Sequence, residues 1–136
     1  MEEFNDEDAP SVDVLGPFDS RWVDKVLEIQ KWKEKKNELD EFIKKIDVKK
    51  ITPRDVAHYI TLIKRLLNDK NINILQCAFK IVKNLSKGLR KNFNHPCKVF
   101  QGLVFSKLKD SKSVIVEETH ETLKAMMNCI SIEEIA

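Results

Sequence analysis

Residues 74–89 read ILQCAFKIVKNLSKGL, and this stretch decides the fold class. Its apolar residues recur every three or four positions, which places them on one side of an α-helix, whereas a strand would show alternation. They are Ile74, Leu75, Ala78, Phe79, Val82, Leu85 and Leu89. Gly88 lies inside this pattern and costs a helix about 1 kcal/mol relative to alanine, so we expect a neighbouring helix to approach closely there.

The composition of the chain favours helices beyond this stretch. Its 136 residues are 42% apolar and 34% charged, with only three Gly and four Pro. Few residues are therefore suited to the positive-φ turns of β-hairpins, while the apolar content is enough for one compact domain or a short repeat array. We expect an all-α fold.

The helical period extends in both directions from residues 74–89 and predicts three antiparallel helix pairs. They span about residues 18–47, 52–92 and 95–131. Thr52, followed by Pro53 and Asp55, is expected to cap the first helix of the second pair. The polar turns within the pairs centre near residues 32, 71 and 111, and a spacing of about 40 residues is typical of HEAT-like arrays. The predicted architecture is a HEAT-like α-solenoid of about three helix pairs.

Charge divides the chain into an acidic start and a basic remainder. Residues 1–20 contain seven acidic residues and no Lys or Arg. The remaining 15 acidic residues and all 24 basic residues lie from Arg21 onward, so that part carries a formal charge of +9. We interpret residues 1–17 as a flexible acidic arm and residues 18–136 as the solenoid, whose charge suits an anionic partner.

The sequence contains no pattern that indicates catalysis or a cofactor. It has no phosphate-binding glycine loop, no nucleophile elbow and no paired-histidine metal motif, so we expect neither an enzyme nor a bound metal or cofactor. Cys77, Cys97 and Cys129 include no C-x-x-C pair and are interpreted as buried free thiols. No stretch has the length of apolar sequence needed to span a bilayer, and no secretory signal is present at the start, so we expect no membrane partner and an intracellular location.

The first polar turn contains the candidate functional residue, Trp32. Indole groups are normally kept out of polar turns, so Trp32 either folds back onto its helix pair or contacts a partner, as exposed aromatic residues beside cations commonly do. The turns of a helix-pair solenoid project along one edge. That edge is predicted to be basic. Its lysines are Lys31, Lys33, Lys36, Lys70, Lys109 and Lys112.

Four segments resemble TOG domains of the ch-TOG microtubule polymerase family. They are QKWKEKKNEL at residues 30–39, DKNIN at 69–73, LSKGLRKNF at 85–93 and KLKDSK at 107–112. Their order and spacing match the family from about Phe18 to Ile135. A complete TOG domain has six helix pairs, so three pairs correspond to the N-terminal half of one.

The resemblance implies a non-catalytic module that binds free αβ-tubulin through the turns within its helix pairs and regulates microtubule growth. It implies that Trp32, with Lys31 and Lys33 beside it, contacts β-tubulin. The second and third turns are expected to add the remaining contacts. By position these come from Ile72, Asn73, Lys109 and Lys112, and charge adds Lys70. The implied location is the cytoplasm, at microtubule ends, the spindle or the centrosome.

Two further expectations follow from the residues themselves. The alternative function is a basic helical-repeat module that binds nucleic acid phosphates, or another acidic protein, through the same lysines. A solenoid that ends after three pairs is also expected to expose Met126, Met127 and Ile130 at its open end and to self-associate there.

Overall fold

The structure, a computed structural model, describes residues 10–129 of the chain and contains six α-helices in that range. The helices are α1 (Ser20–Glu28), α2 (Trp32–Lys45), α3 (Ala57–Leu67), α4 (Ile72–Leu89), α5 (Asn94–Ser106) and α6 (Ser113–Met126). Short 3₁₀ helices at Arg90–Phe93 and Lys107–Lys109 follow α4 and α5. Within the described range the one extended pairing is an isolated bridge between Val12 and Ile51.

The helices form two layers. Consecutive helices pack as the pairs α1–α2, α3–α4 and α5–α6, α3 contacts both α1 and α5, and α4 contacts both α2 and α6. The odd-numbered helices therefore form one layer and the even-numbered helices the other. This arrangement confirms the predicted HEAT-like α-solenoid, in which each helix pair contacts the next.

The even-numbered helices run parallel, and this direction fixes where the turns lie. From α2 to α4, Asp40 contacts Cys77, the Ile43 carbonyl accepts from Asn84, and Asp47 binds Lys87, so the contacts advance together along both helices. From α4 to α6, Lys83 binds Glu118 and the Ser86 carbonyl accepts from Cys129. The three turns at residues 29–31, 68–71 and 110–112 consequently share one edge, called here the turn edge.

The core is continuous through all three pairs and is richest around α4. Eleven α4 residues are buried, because that helix has neighbours on several sides. Aromatic rings fill the first pair: Phe42 lies 4.8 Å from Phe18, 4.9 Å from Trp22 and 5.3 Å from Tyr59 between ring centroids. Trp22 also donates its indole N–H to Glu38 at 3.3 Å. Trp22 therefore packs against the core.

Residues 10–18 pack against the loop that joins the first two pairs. The Val12 amide donates to the Lys50 carbonyl at 3.0 Å, and the Val12 carbonyl accepts from Thr52 at 2.9 Å. Arg54 donates two hydrogen bonds to Asp13, at 2.8 and 2.6 Å, and these lower the pKa of the Asp13 carboxyl group. Leu15 is 2% exposed. These contacts lie at the edge opposite the turn edge, where α2 ends and α3 begins.

The predicted helix start at Thr52 is wrong, because α3 begins at Ala57. Thr52 is instead held in extended pairing by residue 12, and its hydroxyl donates to Ser11 at 2.9 Å. The side chain that serves the start of α3 is Asp55, which accepts from the Ala57 amide at 3.0 Å. A Thr-Pro pair is compatible with a helix start and with an extended segment. Pairing with residues 11 and 12 makes this one extended.

The expectation for the open end is corrected in part. Met126 is 2% exposed and belongs to the core, whereas Met127 is 56% exposed. Ile130 lies outside the described residues. Phe105 and Val99 on α5 are 52% and 40% exposed, so the third pair does present apolar surface. Self-association through this end stays a prediction.

Gly88 allows close approach, but the neighbour is an extended residue and not a helix. The Ile51 amide donates to the Gly88 carbonyl at 2.9 Å. A methyl group added at Gly88 would lie 2.5 Å from Ile51 Cδ1 and 2.6 Å from Cγ1, well inside van der Waals contact. Glycine at this helical position therefore permits the loop to pack on α4.

This contact predicts a non-additive pair of substitutions. Gly88→Ala should destabilise the chain by about 1–3 kcal/mol through overpacking. In an Ile51→Ala background the same change should be neutral or stabilising by up to about 1 kcal/mol, because alanine is the better helix former. Urea unfolding of the four chains, followed by circular dichroism, measures both values. An equal cost in the two backgrounds would contradict the close contact.

Candidate functional site

Trp32 is the first residue of α2 and lies on the surface. Its side chain is 39% exposed, and it is not part of the buried core cluster. The preceding residue, Lys31, occupies the N-cap position and uses no side-chain cap; its carbonyl accepts from the Lys35 amide at 3.0 Å. The Lys33 ammonium lies 5.9 Å from the centroid of the Trp32 ring, within range of a cation–π contact. Lys31 and Lys33 are both exposed.

The second turn is held in shape by hydrogen bonds from its own side chains. Asp69 accepts from the Asn71 amide at 2.7 Å, and Asn71 accepts from the Asn73 amide at 2.9 Å, which caps α4. Lys70 is exposed, whereas Ile72 and Asn73 are half-buried and Ile72 packs against the core. Of the residues predicted here, Lys70 is therefore the most accessible.

The third turn carries two exposed lysines. Lys109 ends the short 3₁₀ helix after α5, and Lys112 occupies the N-cap position of α6. Asp110 accepts from the Lys112 amide at 2.8 Å and so shapes the turn. Both ammonium groups are left at the surface, on the same edge as Lys70 and Trp32.

Sequence reasoning missed two cations at this edge, Lys64 and Arg65. They lie in the last turn of α3, are exposed, and line a shallow hollow of about 210 Å³ with Thr61 and Asn68. Their position next to the second turn was visible in the sequence. Because the last turn of a helix ends at the same edge as the turn that follows it, the two cations lie beside the turn residues. Lys36, which the sequence also placed at this edge, forms a salt bridge with Asp40 of the same helix at 2.7 Å.

An exposed aromatic side chain beside several ammonium groups is an arrangement that can bind an acidic macromolecule. One large aromatic side chain and several ammonium groups share an edge, and they stand on helix ends held by a common core. In residues 10–129 no group of three His, Cys, Asp or Glu side chains could hold a metal ion. None of the helices within that range is long and apolar enough to cross a membrane.

Comparison with known proteins shows which sequences this chain is similar to. No protein-family model matches the chain. Protein MOR1 of rice is 30% identical over 126 residues, covering 91% of this chain and 6% of MOR1. The spindle pole body component alp14 of Schizosaccharomyces pombe is 25% identical over 126 residues, covering 92% of this chain and 16% of alp14. The chain thus spans only a small part of these relatives.

A solved structure shares the fold. It was described in work on microtubule plus end tracking by XMAP215, CLIP-170 and EB1, and it superposes with a TM-score of 0.75 at 24% identity. The match covers 90% of this chain and 52% of the solved one.

The fold first defines the class: this is a HEAT-like helical-repeat domain with an aromatic and basic edge. The similar sequences and the shared fold then confirm the resemblance to TOG domains found in the sequence.

The two tryptophans should differ in what they contribute to stability. Trp22→Ala removes a ring packed between Phe18 and Phe42 and should cost about 3 kcal/mol, whereas Trp32→Ala removes a surface ring and should cost less than about 1 kcal/mol. Thermal and urea unfolding by circular dichroism measure both costs. A large loss for Trp32→Ala would mean that this indole is structural.

Proposed function

We propose that the chain is a non-catalytic tubulin-binding module of a microtubule-associated protein. Its partner is free αβ-tubulin, which it binds through the turn edge and thereby helps to regulate microtubule growth. The resemblance to TOG domains supports this proposal, since the similar proteins include a spindle pole body component and the fold is shared with a structure studied for microtubule plus end tracking. The relatives also favour a cytoskeletal location, at microtubule ends, the spindle or the centrosome.

The observation that carries the proposal is the exposure of Trp32 at the start of α2. A large, rigid aromatic ring loses little conformational entropy on binding and buries much apolar area, so such residues often dominate protein interfaces. Trp32 has this character and is flanked by exposed lysines. We assign it the central contact, on the β-tubulin side, with Lys31 and Lys33 beside it.

The remaining contacts are assigned to the second and third turns. Lys70, Lys109 and Lys112 present positive charge on the same edge and suit an acidic protein surface. Ile72 and Asn73 are half-buried, so their share of the contact is confined to the part of each side chain that reaches solvent. The helix ends that carry these residues are fixed by the core, which presents the whole row as one rigid surface.

The mechanism that follows is capture and release without chemistry. The edge binds a tubulin dimer, neighbouring domains of a longer protein concentrate such dimers at a microtubule end, and the dimer leaves as it adopts the lattice shape. Only a surface complementary to the free dimer is needed for this, because the energy of the cycle then comes from tubulin assembly itself.

The central test is binding to purified αβ-tubulin. Trp32→Ala should weaken binding at least tenfold, as expected when an aromatic interface anchor is truncated, with circular dichroism unchanged. Val99→Ala on α5, an exposed apolar residue away from the turn edge, serves as the matched control and should bind normally. Equal affinity of the Trp32 variant and the unmodified chain would refute the assigned contact.

Charge provides a second test, with matched lysines at the two ends of the same helices. Lys33→Gln, Lys70→Gln and Lys112→Gln together neutralise the turn edge, whereas Lys44→Gln, Lys91→Gln and Lys124→Gln neutralise exposed lysines towards the far ends of α2, α4 and α6. Only the first set should weaken tubulin binding. An equal loss of tubulin affinity in the two sets would mean that the net charge of the chain, and not the turn edge, determines binding.

Binding to nucleic acid distinguishes the alternative function from tubulin binding. A nucleic acid module should bind a short RNA or DNA duplex with an affinity that falls steeply with salt and does not depend on Trp32. Tubulin binding that depends on Trp32, without such nucleic acid binding, would support the proposal over this alternative.

A further inference from the structure

Cys97 and Cys129 lie side by side at the edge opposite the turn edge. Cys97 belongs to the first turn of α5, and Cys129 follows the end of α6. Because these two helices are antiparallel, the start of one meets the end of the other. Both thiols are buried, with 0% and 1% of each residue exposed.

Ser86, near the end of α4, joins the two thiols. Its hydroxyl lies 3.9 Å from the Cys97 sulfur, and its carbonyl accepts from the Cys129 thiol at 3.7 Å. The backbone at Cys129 is fixed as well, since its carbonyl accepts from the Asn94 side chain at 2.9 Å. Both sulfurs are therefore held against one residue by contacts from three helices.

The shared contact with Ser86 brings the two thiols close enough to influence each other's ionisation. Hydrogen bonding between them lowers the pKa of Cys129 and raises that of Cys97. Cys77 has no such neighbour: its thiol lies 3.8 Å from an Asp40 oxygen, and burial raises its pKa to about 11. Among the three cysteines, Cys129 is therefore the thiol that ionises most readily, and the thiolate is the form that attacks a disulfide.

We propose that Cys97 and Cys129 form an oxidisable dithiol, a modification site at which a disulfide closes within the folded chain. The turn at residues 110–112 already joins α5 to α6 at one end. The disulfide would join them at the other, so that the third helix pair becomes a covalently closed loop. Neither residue lies on the turn edge, and the inference does not depend on the proposed function.

A low-molecular-weight disulfide such as oxidised glutathione is a sufficient oxidant. The Cys129 thiolate attacks one glutathione sulfur, the glutathione S–S bond breaks, and one glutathione thiolate leaves. Cys97 loses its proton to solvent and attacks the Cys129 sulfur, which releases the second glutathione. The two cysteines lose two electrons and two protons, and one oxidised glutathione becomes two reduced molecules.

The expected effect is on the stability of the third pair. A disulfide stabilises mainly by restricting the unfolded chain, and here the closed loop runs from residue 97 to residue 129. The thermal midpoint of the oxidised chain should rise by at least about 5 °C. Limited proteolysis within α5 and α6 should slow accordingly.

The experiment uses the whole chain in glutathione redox buffers under native conditions. Samples are quenched with acid, alkylated with N-ethylmaleimide in denaturant, and weighed as intact protein. The reduced chain should take three maleimides and the oxidised chain one, with a loss of two hydrogens and a 97–129 cross-link in the peptide map. In Cys77→Ser the number of maleimides per chain should fall from two in the reduced protein to zero in the oxidised protein. Cys97→Ser and Cys129→Ser should each keep two.

Several results would overturn the inference. They are a persistent glutathione adduct, a cross-link that involves Cys77, oxidation only after denaturant is added, or a disulfide that leaves the thermal midpoint unchanged or lower. Because the unmodified chain is itself oxidised and melted, the conclusion does not depend on whether a cysteine variant folds.

Discussion

The parallel packing of α4 between α2 and α6 is the constraint on which the rest of the structure depends. A helix with neighbours on several sides must be apolar around most of its surface, and eleven residues of α4 are buried. The helices beside it then share its direction, as the advancing contacts to Asp40, Ile43 and Asp47 show. Once this direction is fixed, the starts of all three even-numbered helices lie at one edge.

The two edges of the solenoid differ in chemistry as a result. The turn edge consists of short polar turns with exposed cations and one exposed indole. The opposite edge holds contacts that pack inward, including the pairing of Val12 with Ile51, the contact of Ile51 with Gly88, and the two thiols at Ser86. Short turns have little freedom to pack inward, so they are suited to present side chains to a partner.

This division explains how a chain of low identity to its relatives keeps their fold. A helical repeat requires apolar residues at the right period and a glycine where a loop crosses a helix closely, and many sequences satisfy that requirement. The surface of the turns is under no such packing constraint. The presence of a tryptophan there is not explained by core packing, since Trp32 lies outside the core, and this supports a role in binding.

The sequence by itself determined the fold class, the helix pairs and the candidate edge. It could do so because the helical period, the turn residues near 71 and 111 and the clustered lysines are all local patterns. It could not place the start of α3, because Thr52 bonds to residues 11 and 12, some 40 positions away. It also could not decide whether Trp32 was exposed, whether Met126 was buried, or whether Cys97 and Cys129 both contact Ser86. Those outcomes depend on contacts between distant segments, which only the packing of the helices brings together.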